Sequence, residues 1–197
     1  DSQNIGRMSL GVKVGETYTD YGDGNLEETE QLYDMALSGK GFFAISYADR
    51  NGNESVRYTR DGNFTVNSQG VLVTKDGDFV LAEDGGLINI PEGVKISVDE
   101  SGRITADGQE IAQLQLVDFE DYNYLEKFGE NMYIAIDGAT TKDAQCKVYQ
   151  GYLEASNVNV VTEMVDMITI TRDYESNQKV IQTIDSTLEK SVALGRI

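Results

Sequence analysis

Residues 157–194 read NVNVVTEMVDMITITRDYESNQKVIQTIDSTLEKSVAL, and their pattern decides the architecture of the chain. No proline follows Asn159, and no glycine occurs until Gly195. Asn159 is suited to cap a helix N-terminus, with Glu163 placed in the first turn where the helix dipole favours an acid. With Val160 taken as heptad position a, successive a positions are Val160, Met167, Tyr174, Ile181 and Leu188. The matching d positions are Glu163, Ile170, Asn177, Ile184 and Ser191, so the seam is apolar at every a and interrupted at d. Val161, Val165 and Ile168 add apolar surface on another face near the start. A helix that is apolar on more than one side expects neighbours on more than one side. The candidate interface residues are Val160, Met164, Met167, Ile170, Tyr174, Asn177, Ile181, Ile184 and Leu188.

Upstream of this helix the chain changes character. Strand-like runs are expected at Gly41–Ser46, Val56–Thr59, Asn63–Val66, Leu72–Thr74, Phe79–Ala82, Leu87–Ile90 and Lys95–Val98. More are expected at Ile104–Ala106, Ile111–Phe119, Met132–Ile136 and Val148–Glu154, with a short helical or irregular stretch around Tyr122–Phe128. Turn signals separate them: Asp49–Asn53 with its Asn-Gly dipeptide, Asp76-Gly77, Asp84-Gly85-Gly86 and Asp107-Gly108. Strands this short and regular predict a mainly β fold, a sandwich or barrel-like domain of antiparallel strands plus one long C-terminal α-helix. The expected organisation is an extended arm over 1–31, a β-rich core over 32–155 and an assembly helix over 156–197. Such a seam spans on the order of 50 Å and would overhang a body of this size. No second long amphipathic helix accompanies it in the chain, so packing against another molecule is expected ahead of docking on its own sheet.

Composition narrows the function. The 197 residues carry 34 acidic against 16 basic side chains, a formal net charge of −18, and no histidine. A nucleic-acid partner requires clustered Lys and Arg and is excluded on that ground. Anionic membrane surfaces are disfavoured in the same way, and no run approaches the roughly 20 apolar residues of a membrane span. Without histidine there is no Ser-His-Asp or Cys-His catalysis and no usual zinc site. The single cysteine, Cys146, cannot close an internal disulfide and reads as an exposed strand end.

Other chemistry is thinly represented. No phosphate-cradling GxxxxGK[ST] loop is present, and no pair of carboxylates stands out for glycoside hydrolysis. Asp49–Asn53 and Asp23–Glu27 imitate the start of a calcium loop, but Glu54 and Glu28 occupy the position that needs glycine. Both read as turns. Arg60 beside Asp61-Gly62 reads as an arginine that pins a hairpin, not as a ligand site. No cofactor, metal, small-molecule substrate or catalytic residue is expected.

Several short motifs, in order, carry a resemblance. They are Gly24-Asn25-Leu26 with Thr29, Asp34-Met35-Ala36-Leu37, Gly39-Lys40-Gly41-Phe42-Phe43, and Tyr58–Phe64 followed by Asn67, Gly70 and Leu72-Val73. Gly129–Tyr133, Gln150–Glu154 and Ser156–Asn159 follow, then Arg172, Tyr174, Glu175, Asn177 and Lys179 within the helix. In this order and spacing they resemble the rod and hook proteins of the bacterial flagellum. The resemblance implies a non-enzymatic axial subunit of the basal body, exported by the flagellar type III apparatus without a secretory signal. It implies self-association into a helical assembly alongside other rod and hook subunits, with no direct membrane insertion. In the family an N-terminal helix pairs with the C-terminal one. The chain starts at Asp1 without methionine, so a fragment whose partner helix lies upstream is expected. The interval from Phe43 to Gly129 leaves no room for the extra domains of the hook protein, which favours a rod subunit. The competing reading is a secreted β-domain module that binds a glycan or protein through its loops; a wall-cleaving enzyme ranks below it.

Overall fold

The computed structural model describes residues 19–49 and 52–194; the arm expected over Ile5–Thr19 lies almost wholly outside them. The first strands are β1 (Leu26–Glu28), β2 (Met35–Lys40), β3 (Phe42–Ala48), β4 (Glu54–Thr59), β5 (Phe64–Val66) and β6 (Leu72–Thr74). Next come β7 (Phe79–Val80), β8 (Ile96–Val98), β9 (Arg103–Ala106), β10 (Gln109–Gln113) and β11 (Leu116–Phe119). A 3-10 turn at Tyr122–Tyr124 leads into β12 (Leu125–Phe128) and β13 (Met132–Ala135). The chain ends with β14 (Thr141–Asp143), β15 (Gln145–Gln150), β16 (Tyr152–Glu154) and α1 (Val160–Leu194).

All strand pairings are antiparallel. The largest sheet runs β12-β13-β4-β3-β7-β6-β5, with β11 beside β3 and β14 beside β11. A three-stranded sheet β10-β9-β8 and the pairs β2-β15 and β1-β16 complete the body. Among the described residues no sheet closes on itself, so the body is sandwich-like and not a barrel. The fold is therefore the expected one, short antiparallel strands plus a long C-terminal helix.

The Gly-Phe-Phe motif shows how the sequence organises this body. Successive strand residues point to opposite faces, and Phe42 and Phe43 enter two different cores. Phe43 joins Met35, Leu37, Ile45, Phe64, Leu72, Val80, Ile88, Ile104, Leu114 and Val148 in the main core. Phe42 joins Phe119 and Leu125 in a smaller one, covered by Tyr21, Tyr58, Tyr122 and Tyr133. The Phe42 ring meets those of Phe119, Tyr122 and Tyr133 edge-on, with centroids 6.0, 5.9 and 5.5 Å away, an arrangement that suits ring quadrupoles.

A buried acid lies under the smaller core. Asp118 accepts from its neighbour's amide, Phe119 N, at 2.8 Å and from the Tyr122 hydroxyl at 2.7 Å. Its second oxygen lies 3.0 Å from Lys142 Nζ. Burial alone would raise its pKa, but Tyr122, Lys142 and the Phe119 amide outweigh it and hold the carboxyl below its ordinary 3.8. A depressed folded-state pKa means that the stabilisation is fully present above the unfolded value and lost as pH falls through the folded one. Acid unfolding below about pH 4 is thus expected to be steeper in the parent than in Asp118→Asn, as urea midpoints at pH 6 and pH 3 would show.

Four local expectations are corrected. Leu87–Ile90 is not a strand; it makes only isolated bridges, Leu87 with Leu81 and Asn89 with Val71, because two-residue contacts suffice to bury Ile88. Ile111–Phe119 is two strands, broken where Leu114 and Gln115 leave the ladder with Gln109–Gln113 behind them. Val148–Glu154 likewise divides at Gly151, whose φ of +80° reverses the chain. Cys146 is not an exposed strand end. It is half-buried within β15, against the main core, and burial pushes its thiol pKa up.

Candidate assembly site

The helix begins as its sequence prescribes. Asn159 Oδ1 accepts from Val161 N at 3.1 Å and Thr162 N at 3.3 Å, and Glu163 N donates to Asn159 O at 3.1 Å. Two orphan amides of the first turn are thereby satisfied. Glu163 occupies that first turn.

From Val160 to Val192 every residue of α1 is exposed. The eight apolar members of the predicted interface, Val160, Met164, Met167, Ile170, Tyr174, Ile181, Ile184 and Leu188, are 53–68% exposed, and Asn177 is exposed with them. The helix does not lay its seam on its own sheets. Scattered exposed apolar residues are ordinary on a protein surface, but a row that recurs at every a position from Val160 to Leu188 is not. The chemistry available here is burial: a surface of regular periodicity that gains free energy only when another chain covers it.

The root of the helix is rigidly built. Strand β1 pairs with β16 in the register Leu26–Glu154, Glu27–Leu153 and Glu28–Tyr152, so the early chain lies against the last strand before α1. Asn157 Nδ2 donates to Gly22 O at 3.2 Å. Gly24 must be glycine, because a Cβ there would collide with the Ala155 carbonyl oxygen. Tyr21 adds a ring contact with Tyr122, centroids 4.7 Å apart.

Arg60 binds these pieces together. Its Nε and Nη2 donate to Glu154 at 2.8 and 3.1 Å, and Nη2 also donates to Asp23 Oδ1 at 3.0 Å. Nη1 donates to the carbonyls of Gly39 and Gly41 at 2.9 and 3.1 Å. All five N–H groups of the fork are committed. Arg60 does pin structure, as its sequence context implied, but across four segments instead of one hairpin. Sequence reasoning missed Glu154 and Asp23 as its partners, since they lie 94 and 37 positions away. With its one arginine saturated, the cleft at this corner offers acids and no free cation for an anionic ligand among the described residues lining it.

The side chains of Arg60 and Glu154 are 17% and 11% exposed, so removing one leaves the other charge largely buried. Arg60→Lys, a point charge with three donors, cannot reproduce the fork. It is expected to cost about 2–3 kcal/mol, and Arg60→Ala about 3–5 kcal/mol, measurable as a lower urea midpoint.

Of the two calcium-like segments, Asp49–Asn53 serves as a turn, whereas Asp23–Glu27 is not a turn but the extended lead into β1, which begins at Leu26. Asp49 accepts from Asn53 N at 2.8 Å and from Asn53 Nδ2 at 3.0 Å; positions 50 and 51 lie outside the described residues. Asp23 is engaged by Arg60 and by Gly39 N. No helix among the described residues is long and apolar enough to cross a membrane.

Comparison with known proteins covers both halves of this architecture. Residues 36–106 match the family described as the flagellar hook protein FlgE/F/G D1 domain. Residues 149–194 match the one described as the flagellar basal body rod FlgEFG protein C-terminal region. The chain is 37% identical to the flagellar basal-body rod protein FlgG of Buchnera aphidicola subsp. Schizaphis graminum, over 93% of this chain and 73% of that protein. With FlgG of Caulobacter vibrioides it shares 36% identity over 93% of this chain and 72% of that protein. With FlgF of the same organism the figure is 37%, over 85% and 66%. The FlgG matches thus extend along more of the sequence than the FlgF match.

Proposed function

Since this chain belongs to the family of flagellar basal-body rod and hook proteins, we propose that its β body and its helix divide the work of a rod subunit. The protein is a structural component of the flagellar basal body and assembles with other rod and hook subunits. Within the family it is most like FlgG. In the reading advanced here, copies of the chain pack through α1 into the shaft that carries torque from motor to hook, and the β body forms the outer layer. The interface is the row Val160, Met167, Tyr174, Ile181 and Leu188 with Ile170, Asn177 and Ile184 beside it and Met164 on its flank. Its partner is a helix supplied from outside α1, and export runs through the flagellar type III apparatus. The division falls at about residues 31 and 155, and no catalytic role is assigned.

The observation that carries this reading is the apolar seam left open from Val160 to Leu188. A glycan-binding module has no use for such a seam. Deleting Val160–Leu194 therefore separates the two: the rod reading expects complete loss of the protein from purified hook–basal bodies and loss of swimming. Retention of the truncated protein in those particles would overturn it.

A further inference from the structure

Resting on the rod reading above, we propose that α1 carries a second contact face, separate from the seam, which docks on the acidic β body of a second copy of this chain. Val161, Ile168, Arg172, Lys179 and Lys190 follow one another at intervals of seven, four, seven and eleven residues. At about 100° per residue they fall within about 40° of one another on the helix. Val165 borders the same track. Arg172, Lys179 and Lys190 are all the basic residues of Val160–Leu194; each is exposed, and none makes an ion pair among the described residues. Five of the six acids of the helix lie on other flanks; the sixth, Glu175, borders the track about 40° from its centre, opposite Val165. From Tyr174 onward the track lies roughly opposite the seam. A helix that covered the seam would leave it open.

A cationic line with an apolar head is unusual on a chain of net charge −18, and its complement is in the same sequence. Twenty-eight acids against twelve basic residues precede Val160. At the corner beside the helix root, Glu27, Glu28 and Glu30 are exposed together with Leu26 and Leu32. Acid and aliphatic surface there matches base and aliphatic surface on α1. The helix does not reach its own body, since all of its side chains from Val160 to Val192 are exposed, so the acidic corner that this track would meet is that of another copy. It would also relieve the repulsion of packing like-charged bodies side by side.

The test uses the full-length protein in cells that build flagella. A benzophenone amino acid at position 179 is expected to give crosslinks to residues 19–155 of a second copy, concentrated around Leu26–Leu32. Crosslinks to α1 of another copy, to a different protein, or to nothing would overturn the proposal. The same probe at position 181 reads the seam: helix adducts there keep the rod reading intact whatever position 179 reports. Absence of the protein from basal bodies, with no adduct at either position, defeats the rod reading itself. Independently, Arg172→Glu with Lys179→Glu should lower incorporation at least tenfold, and adding Glu27→Lys with Glu28→Lys should restore a good part of it. Undiminished incorporation of the first pair, or no recovery with the second, counts against the docking.

Discussion

Ile181→Asp and Leu188→Asp are each expected to reduce incorporation into hook–basal bodies to background, while the β body unfolds at the parent's temperature. The two halves of this expectation come from different states of the same residue. In the isolated subunit both side chains are more than half exposed, so a carboxylate there stays in water. Replacing Ile or Leu by Asp costs only a few tenths of a kcal/mol of helix propensity. In an assembled seam the same carboxylate would be taken out of water without a partner, at several kcal/mol per copy. Every subunit in a helical assembly repeats that cost. Thermal unfolding of the purified variant and its recovery in basal bodies check the two halves separately. Normal motility in either variant would remove these positions from the interface.

Gly62→Ala is expected to strike the fold itself, on the scale of losing Arg60. The glycine sits where the chain turns from β4 toward β5, and Met35 N donates to its carbonyl at 3.0 Å. A Cβ at this position would run into the Met35 carbonyl oxygen and press on the edge of the Phe43 ring. Met35 and Phe43 are both fully buried, and the first clash is with backbone, so no rotamer change relieves it. The turn at Gly62 and the start of β2 would have to separate. A loss of about 3 kcal/mol or more is expected, or roughly 10 °C in melting temperature for a chain of this size. Gly77→Ala makes the control. Its φ is +95° but its Cβ would meet nothing, so only the left-handed backbone cost of about 1–2 kcal/mol applies.

How far the sequence could be read depended on the range of the interactions involved. The helix was legible nearly to the residue, because its cap, its first-turn acid and its periodicity are all local: Asn159 caps and Val160 begins the element. Hairpins with Asp-Gly or Asn-Gly turns were legible for the same reason, and Leu72–Thr74 falls just before the Asp76-Gly77 turn that marks its end. Strand β2 was not singled out, since Met35-Ala36-Leu37 is continuously buried and shows no alternation to mark it as half-exposed. Strand β1 was hidden in an acidic stretch whose β character exists only against β16. The root of the helix was invisible for a related reason. Nothing near Arg60 in the sequence announces Glu154 or Asp23, and the close backbone approaches at Gly24 and Gly62 appear only in the structure. The seam residues were named from periodicity alone, and the structure adds that their own body leaves them bare.

The hydrogen bond between Asn157 and Gly22 has a consequence for how such a protein can change. Both stems of the body meet at one corner, as the two ends of a handle meet at a door. Anything grafted into the loops farther out enlarges or reshapes the pendant without moving its attachment. The β body away from that corner is therefore free to vary in size and charge, while the geometry at the root stays fixed by Arg60, Gly24 and Gly62.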